Sequence, residues 1–165
     1  MRLYHYAPKN NTCLTDGLLS ISKNQSNLKS YILRAGSENK EDILCFLEKT
    51  FIGRSRSISC LTEPIIWQNN DPVLKKIVDN SELFSFELDE LLRDGLVESI
   101  WCKKSCDANG INEHFAKITR DDIDISPLPW KNCDSAKGLL FGVIRHYLIV
   151  FKEGFIPPQY LTLEK

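Results

Sequence analysis

The stretch from residue 138 to residue 151 reads Gly-Leu-Leu-Phe-Gly-Val-Ile-Arg-His-Tyr-Leu-Ile-Val-Phe and contains the longest apolar run of the chain. Three pieces of it are short and wholly apolar: Leu139-Leu140-Phe141, Val143-Ile144 and Tyr147-Leu148-Ile149-Val150-Phe151. Short apolar runs without alternation are typical of strands that are buried on both faces. We therefore predict that central strands of a sheet lie here and that the other elements pack around them.

Four segments upstream predict further strands. The first, Leu3-Tyr4-His5-Tyr6, is rich in aromatic residues and stops at Pro8. Residues 57–61 alternate polar and apolar side chains, which is the period of a half-buried strand. Residues 83–88 and 96–101 are the other two predicted strands.

Helices are predicted mainly before residue 80. The clearest one begins after Ser37 or Asn39, either of which can cap it, and ends at Gly53. Glu41 and Asp42 suit its first turn, where carboxylates interact favourably with the helix dipole. Shorter helices are predicted at residues 27–33, 72–78 and 90–93.

The order of these elements indicates the fold class. Helices dominate the first half and strands the second, without a regular strand–helix–strand alternation, and this order favours an α+β fold over a doubly wound sheet. At 165 residues the chain fits one domain, and no repeat or Gly/Ser-rich linker divides it. We predict a single compact α+β domain over residues 1–165, with a mixed or antiparallel sheet and helices mainly from the N-terminal half.

The composition narrows the possible partners. Lys plus Arg number 21 and Asp plus Glu number 22, so the chain lacks the overall basic excess of proteins that hold nucleic acid mainly through phosphates. No stretch approaches the ~20 apolar residues that cross a bilayer, and no secretory leader is apparent, so no membrane partner is predicted. The six cysteines are therefore interpreted as free thiols, which predicts a cytoplasmic location.

Several kinds of catalytic site lack their sequence signature. Cys102, Cys106, His114 and Cys133 do not form the two closely spaced ligand pairs of a structural zinc site, so no metal is predicted. A cysteine paired with a histidine would suit a thiol hydrolase, but nothing in the sequence selects one pair. The chain also has neither a Gly-x-Ser-x-Gly elbow nor a Gly-x-x-x-x-Gly-Lys phosphate loop.

Three segments concentrate polar side chains. Tyr4-His5-Tyr6 places a histidine between two tyrosines on the first strand, and Arg54-Ser55-Arg56-Ser57-Ile58-Ser59 offers guanidiniums and hydroxyls suited to a phosphate. Glu63 and the loop around Trp67 combine a carboxylate, an indole and amides, which can hold a flat polar heterocycle. Each segment also has a purely structural interpretation: a partly buried histidine, a solvated loop and a loop that covers the core.

The two ends of the chain carry a family resemblance. Leu3-Tyr4-His5-Tyr6 is followed by Asp16-Gly17-Leu18-Leu19-Ser20, and Tyr147-Leu148-Ile149-Val150 is followed by Gly154-Phe155-Ile156-Pro157-Pro158-Gln159-Tyr160-Leu161. These segments resemble the first strand and helix, and the last strand with its Ile-Pro-Pro-x-Tyr exit, of histidine-first ADP-ribosyltransferases. That group comprises diphtheria-toxin-like, DNA-modifying and RNA 2′-phosphotransferase branches. Residues 56–61 resemble the family's middle strand, which carries a hydroxyl residue near the nicotinamide.

The resemblance implies a domain that binds NAD or a related nucleotide and transfers ADP-ribose to a protein or nucleic-acid acceptor. In the family, the histidine holds the NAD ribose, and a late glutamate stabilises the oxocarbenium-like centre as nicotinamide leaves. The chain reads Arg145-His146-Tyr147 where that glutamate is expected, without a carboxylate. Glu63 lies just after the middle strand and is the first candidate to replace it, with Glu98 and Glu153 as alternatives.

We accordingly predict His5 and Glu63 as catalytic residues, with His5 donating a hydrogen bond to a ribose hydroxyl. The predicted nucleotide-binding residues are Tyr4, His5, Tyr6, Arg54, Arg56, Ser57, Ser59 and Trp67. A degenerate fold that binds the nucleotide without transfer stays open. The alternative is a non-catalytic interaction module of the effector, inhibitor or immunity type, for which the chain offers three tryptophans, the residue type that often anchors interfaces.

Overall fold

Short strands and helices succeed one another irregularly along the residues that the computed structural model describes, which are 1–65, 71–106, 113–130, 135–140, 142 and 144–165. The strands there are β1 (Arg2–Pro8), β2 (Leu18–Leu19), β3 (Ser57–Cys60), β4 (Ser81–Glu87), β5 (Val97–Cys106), β6 (Glu113–Ile118), β7 (Tyr147–Phe151), β8 (Phe155–Ile156) and β9 (Thr162–Leu163). The α-helices are α1 (Cys13–Asp16), α2 (Ile32–Ala35), α3 (Lys40–Thr50), α4 (Pro72–Asp79), α5 (Leu88–Arg93) and α6 (Ser135–Leu140). Turns of 3₁₀ helix lie at Gln25–Tyr31, Arg54–Arg56, Arg120–Asp122 and Pro158–Tyr160.

The larger sheet is built around β7, the strand predicted from the apolar run. All five of its side chains are buried. β7 pairs with β3 on one side and β5 on the other, and β6 completes the order β3-β7-β5-β6, antiparallel throughout. Alternate residues of β7 serve two cores: Ile149 and Phe151 join the main core, whereas Leu148 and Val150 pack with Phe51 on the opposite face.

A second antiparallel sheet has the order β1-β4-β9, and β2 pairs with β8 in a two-stranded ribbon. β1 and β4 supply Leu3, Ala7, Phe84 and Phe86 to the same main core that receives one face of the larger sheet. The predicted single α+β domain is therefore confirmed, and of the two predicted kinds of sheet, mixed or antiparallel, the structure has the antiparallel one. Four of the six α-helices described lie before residue 82, as predicted.

The helix predicted to begin after Ser37 or Asn39 is α3. Its cap is Asn39, whose side-chain oxygen accepts from the backbone N–H of Glu41 at 2.8 Å and of Asp42 at 3.4 Å. These two bonds satisfy donors that the first turn leaves without an intrahelical partner. The helix ends at Thr50, three residues before the predicted end at Gly53.

Two elements differ from the prediction. Leu139 and Leu140, predicted in a strand, lie in α6, while Phe141 and Val143 fall outside the described residues. A short apolar run without alternation fits a buried helix turn as well as a buried strand, so its pattern alone does not separate the two. β6 is absent from the predicted strands, because its side chains are only partly buried and its apolar residues are few.

Candidate functional site

A cleft of about 350 Å³ opens beside the line where the two sheets meet. β1 and β3 join at a bridge between Tyr4 and Leu61, whose N–H and C=O groups exchange two bonds of 2.9 Å. One residue further along β1, His5 bonds through Nδ1 to the carbonyl oxygen of Ser59 at 2.6 Å instead of continuing the backbone ladder. The side chain of His5 therefore spans the opening between the sheets.

Four of the predicted site residues line this cleft: His5, Arg54, Ser57 and Ser59. In β3 the two serines alternate with Ile58 and Cys60, which face the main core, so strand alternation turns both hydroxyls away from the core. The other lining residues are Leu19, Ser20, Ile21, Ser30, Tyr31, Arg34, Ile58, Glu113, His146 and Leu148.

His5 presents an acceptor to the cleft. A carbonyl oxygen can only accept, so the bond to Ser59 places the ring proton on Nδ1 and leaves the lone pair on Nε2. Burial lowers the pKa of His5, and the bond to the Ser59 carbonyl opposes this only in part, so the ring is neutral at pH 7. The geometry thus corrects the expected role: His5 can accept a hydrogen bond from a ligand hydroxyl rather than donate one.

Arg54 is buried at the far end of the cleft. Its NH1 donates to Ser57 Oγ at 3.0 Å and its NH2 donates to Tyr31 Oη at 3.2 Å, while Ser57 Oγ in turn donates to the Arg54 carbonyl at 2.7 Å. The guanidinium carbon lies 5.5–6.0 Å from the ring centroids of Phe51, Phe115 and Tyr31. The Nε atom is buried without a hydrogen-bond partner among the described residues.

Glu113, at the start of β6, supplies a carboxylate to the same end of the cleft. Its oxygens lie 2.7 Å from Lys103 Nζ, 3.3 Å from Arg34 NH1 and 4.0 Å from Arg54 NH2. Burial opposes ionisation of Glu113, but the hydrogen bond from Lys103 and the charges of Lys103, Arg54 and Arg34 outweigh it and lower its pKa. The carboxylate is therefore ionised at neutral pH.

His146 lines the cleft together with His5 and is close enough to Lys103 and Arg54 for their charges to act on it. Burial, and then the positive charges of Lys103 and Arg54, lower its pKa to about 4. Its Nδ1 atom is buried and has no hydrogen-bond partner within the described residues. A neutral imidazole with an unused nitrogen can bond a ligand that enters the cleft.

An apolar groove of about 360 Å³ adjoins the cleft and shares three residues with it: His5, Ser59 and His146. We call it the tyrosine groove. Its other lining residues are Tyr4, Tyr6, Cys60, Leu61 and Leu139. Tyr6 is held in place because its hydroxyl accepts from the Ile65 N–H at 2.9 Å. Two aromatic side chains next to apolar ones can contact the face of a planar ring.

Two predicted site residues lie elsewhere. Glu63 accepts hydrogen bonds from the Leu128 N–H at 2.9 Å and from Trp130 Nε1 at 2.7 Å, so its carboxylate ties a loop to the core and does not line the cleft. Arg56 points away from the cleft, since Glu98 binds its guanidinium through both carboxylate oxygens.

The remaining predictions concern tryptophans and metal ligands. Trp67 and Cys133 lie outside the described residues. Trp130 is buried in a core cluster and Trp101 stacks on Phe51 with ring centroids 4.2 Å apart, so both contribute to packing. Among the described residues, no group of three or more His, Cys, Asp or Glu side chains is arranged to hold a metal ion. Within the same residues, no helix combines the length and apolarity needed to cross a bilayer.

Sequence reasoning missed Arg34, Lys103, Glu113 and His146 as site residues. Arg34 and Glu113 have no local signature, because only the tertiary fold brings them to residues 54–59. Lys103 carried a usable signal: it follows Ile100-Trp101-Cys102 in a strand, and a lysine among buried strand residues needs a carboxylate partner.

Comparison of the chain with protein-family models, with curated proteins and with solved structures gives no match. The resemblance to ADP-ribosyltransferases therefore depends on the quoted motifs and stays a prediction.

Proposed function

We propose that the cleft binds NAD or a related nucleotide and that the domain is an ADP-ribosyltransferase-like enzyme. The observation that carries the proposal is the shared cleft. The resemblance assigns His5 and a hydroxyl residue of strand 56–61 to the nucleotide site, and His5, Ser57 and Ser59 line the cleft together with the carboxylate of Glu113. Glu113 supplies the group that Arg145-His146-Tyr147 lacks at the expected place in the sequence.

The residues of the cleft fit such a ligand in size and chemistry. The volume of about 350 Å³ lies within the range of small-molecule sites. Arg54 Nε and His146 Nδ1 are buried and have no hydrogen-bond partner among the described residues. Both nitrogens can bond the oxygens of sugars and phosphates. The adjoining tyrosine groove offers apolar walls to a planar heterocycle.

The role proposed for each side chain follows from its protonation state and its hydrogen bonds. NAD would supply a nicotinamide–ribose bond, whose electron pair leaves with nicotinamide while an acceptor attacks the ribose carbon and loses a proton. The ionised carboxylate of Glu113 would stabilise the positive charge that develops on the ribose. His5 Nε2 would accept from a ribose hydroxyl and fix the sugar. Lys103 holds the Glu113 carboxylate in position through its 2.7 Å contact.

The test separates binding from turnover. We expect NAD to bind in calorimetric titration and nicotinamide to be released, detected by chromatography. Glu113→Gln should keep the fold and lower the rate of release by about 10²–10³, the usual effect of removing one electrostatic stabiliser of a transition state. His5→Ala should weaken NAD binding.

Glu63→Gln is the matched control, because it makes the same change in a carboxylate that binds Leu128 and Trp130 outside the cleft. Its rate of nicotinamide release should equal that of the parent. Absence of NAD binding to the parent protein would refute the proposal and favour the interaction module.

A second function is favoured by the surroundings of Glu113. Its carboxylate is already engaged by Lys103 and Arg34, which makes it less available to a ribosyl centre. This observation supports a degenerate domain that binds the nucleotide without transferring ADP-ribose. NAD binding without nicotinamide release, in the presence of varied protein and nucleic-acid acceptors, would identify this case.

A further inference from the structure

The charges at the far end of the cleft do not cancel. Lys103 and Glu113 form a close pair at 2.7 Å, with side chains only 4% and 14% exposed. Arg34 and Arg54 approach the same carboxylate at 3.3 and 4.0 Å. Among the described residues, three cations thus share one carboxylate, and two positive charges are left over.

These extra charges lie where water screens them poorly. The side chain of Arg54 is 7% exposed and that of Arg34 is 28% exposed. The Arg54 guanidinium also keeps a buried Nε without a partner among the described residues. Charge that is removed from water without compensation is costly, so this end of the cleft favours an anion.

We propose that a phosphate or diphosphate group carrying two negative charges in total binds between Arg34 and Arg54. Two guanidiniums present several N–H donors in planar forks, which suit the oxygens of a phosphate, and two charges match a phosphomonoester or a diphosphate diester. The inference rests on the nucleotide cleft of the proposed function, but it does not require catalysis.

The position of this group orients the rest of the ligand. Arg34 and Arg54 line the cleft but not the tyrosine groove, whereas His5, Ser59 and His146 line both. A ligand with its phosphate at Arg34 and Arg54 can therefore place its sugar near His5 and extend its planar ring into the groove.

The experiment compares adenosine, AMP, ADP-ribose and inorganic pyrophosphate by calorimetric titration of the whole chain. We expect at least one of AMP and ADP-ribose to bind about tenfold or more tightly than adenosine, since hydrogen bonds between charged partners are the strong ones. Preference for AMP indicates a terminal phosphate, and preference for ADP-ribose indicates a diphosphate. Equal affinity of all three nucleosides and nucleotides would overturn the proposal.

Two variants test the charge argument. Arg34→Gln should remove most of the gain in affinity that AMP or ADP-ribose shows over adenosine. Arg93→Gln should leave that gain intact, because it makes the same change in an exposed residue that pairs with Asp94. Glu113→Gln should strengthen pyrophosphate binding, because Glu113 is the one carboxylate among the described residues that line the cleft. Retention of the full gain in Arg34→Gln, or weaker pyrophosphate binding by correctly folded Glu113→Gln, would refute the site. Nicotinamide release that fails while AMP still binds would refute the transferase and leave the phosphate site standing.

Discussion

His146 is a buried base among cations. Its pKa of about 4 reflects burial first and then the charges of Lys103 and Arg54. An unfolded chain binds a proton at histidine near pH 6.5, whereas the folded chain leaves His146 neutral until about pH 4. The stability contributed by the neutral form is therefore fully present above pH 6.5 and is lost as the pH falls towards 4. The pKa of His5 is also lowered, so its effect has the same sign.

This linkage predicts a measurable pH dependence. Because of His146, the free energy of unfolding should fall by up to about 1.4 kcal/mol per pH unit between pH 6.5 and 5, and the lowered pKa of His5 acts in the same direction. His146→Gln should reduce that slope, measured by urea unfolding at several pH values. An unchanged slope in His146→Gln would show that this histidine titrates in the folded state as it does in the unfolded chain. The window stays above pH 5 because carboxylates such as Glu48 and Glu113 titrate below it.

The described cysteines differ in reactivity. Burial raises the pKa of the Cys13, Cys60 and Cys102 thiols, and the thiolate is the form that reacts with alkylating agents. Cys45 is exposed on α3. In a Cys133→Ser background, we expect iodoacetamide to label Cys45 first in the native protein, as followed by peptide mass spectrometry. The other four should react only after denaturation, and equally fast labelling of Cys60 would contradict the burial of β3.

The turn between α3 and β3 determines where Arg54 lies. Glu48, on the last turns of α3, accepts from the Gly53 N–H at 2.7 Å and from the Ser55 N–H at 3.0 Å. Gly53 itself has φ of +92°, in the left-handed region that favours glycine. These features close the turn tightly enough to direct the Arg54 side chain into the cleft.

Gly53 is predicted to be more sensitive than another glycine of the same conformation. A Cβ at Gly53 would lie 2.6 Å from Val150 Cγ1, whereas at Gly36, with φ of +66°, it would meet nothing within 4 Å. Both alanine variants bear the backbone strain, so Gly36→Ala serves as the control. Gly53→Ala should cost about 1–3 kcal/mol more in the free energy of unfolding, the usual effect of overpacking a core. Equal losses in urea unfolding would mean that β7 yields to the added methyl group.

Elements with a local signal could be predicted from the sequence. The Asn39 cap, the proline that opens α4 and the unbroken apolar run of β7 each specify their element within a few residues. The prediction of a strand at Leu139 and Leu140, which lie in α6, was wrong because these residues are apolar without showing the period of either a helix or a strand. β6 pairs with β5, the strand that precedes it in the sequence, but its few apolar residues and partly buried side chains give no strand period of their own.

The arrangement of the whole molecule explains why only part of the cleft could be predicted. His5 and residues 54–59 come from motifs that the sequence displays, but their meeting depends on the bridge between Tyr4 and Leu61 and on the bond from His5 to the Ser59 carbonyl, which are both tertiary contacts. Glu113 and His146 reach the cleft because β6 and the entry to β7 belong to the sheet that contains β3. These long-range contacts form because both sheets pack on one core, and a local sequence pattern does not show which distant segments will meet.

Because the cleft joins segments from both sheets, a ligand there should stabilise the whole domain. Binding to the folded state alone raises the free energy of unfolding by about 2.7 kcal/mol at a ligand concentration one hundred times the Kd. Hydrogen exchange with saturating NAD should also slow locally in peptides that cover β1, β3 and Gln25–Tyr31, where opening exposes the site. Peptides from α4 and β9, whose residues do not line the cleft, provide the internal control. Protection confined to α4 and β9 would place the ligand elsewhere, and the absence of both protection and stabilisation would show that NAD does not bind.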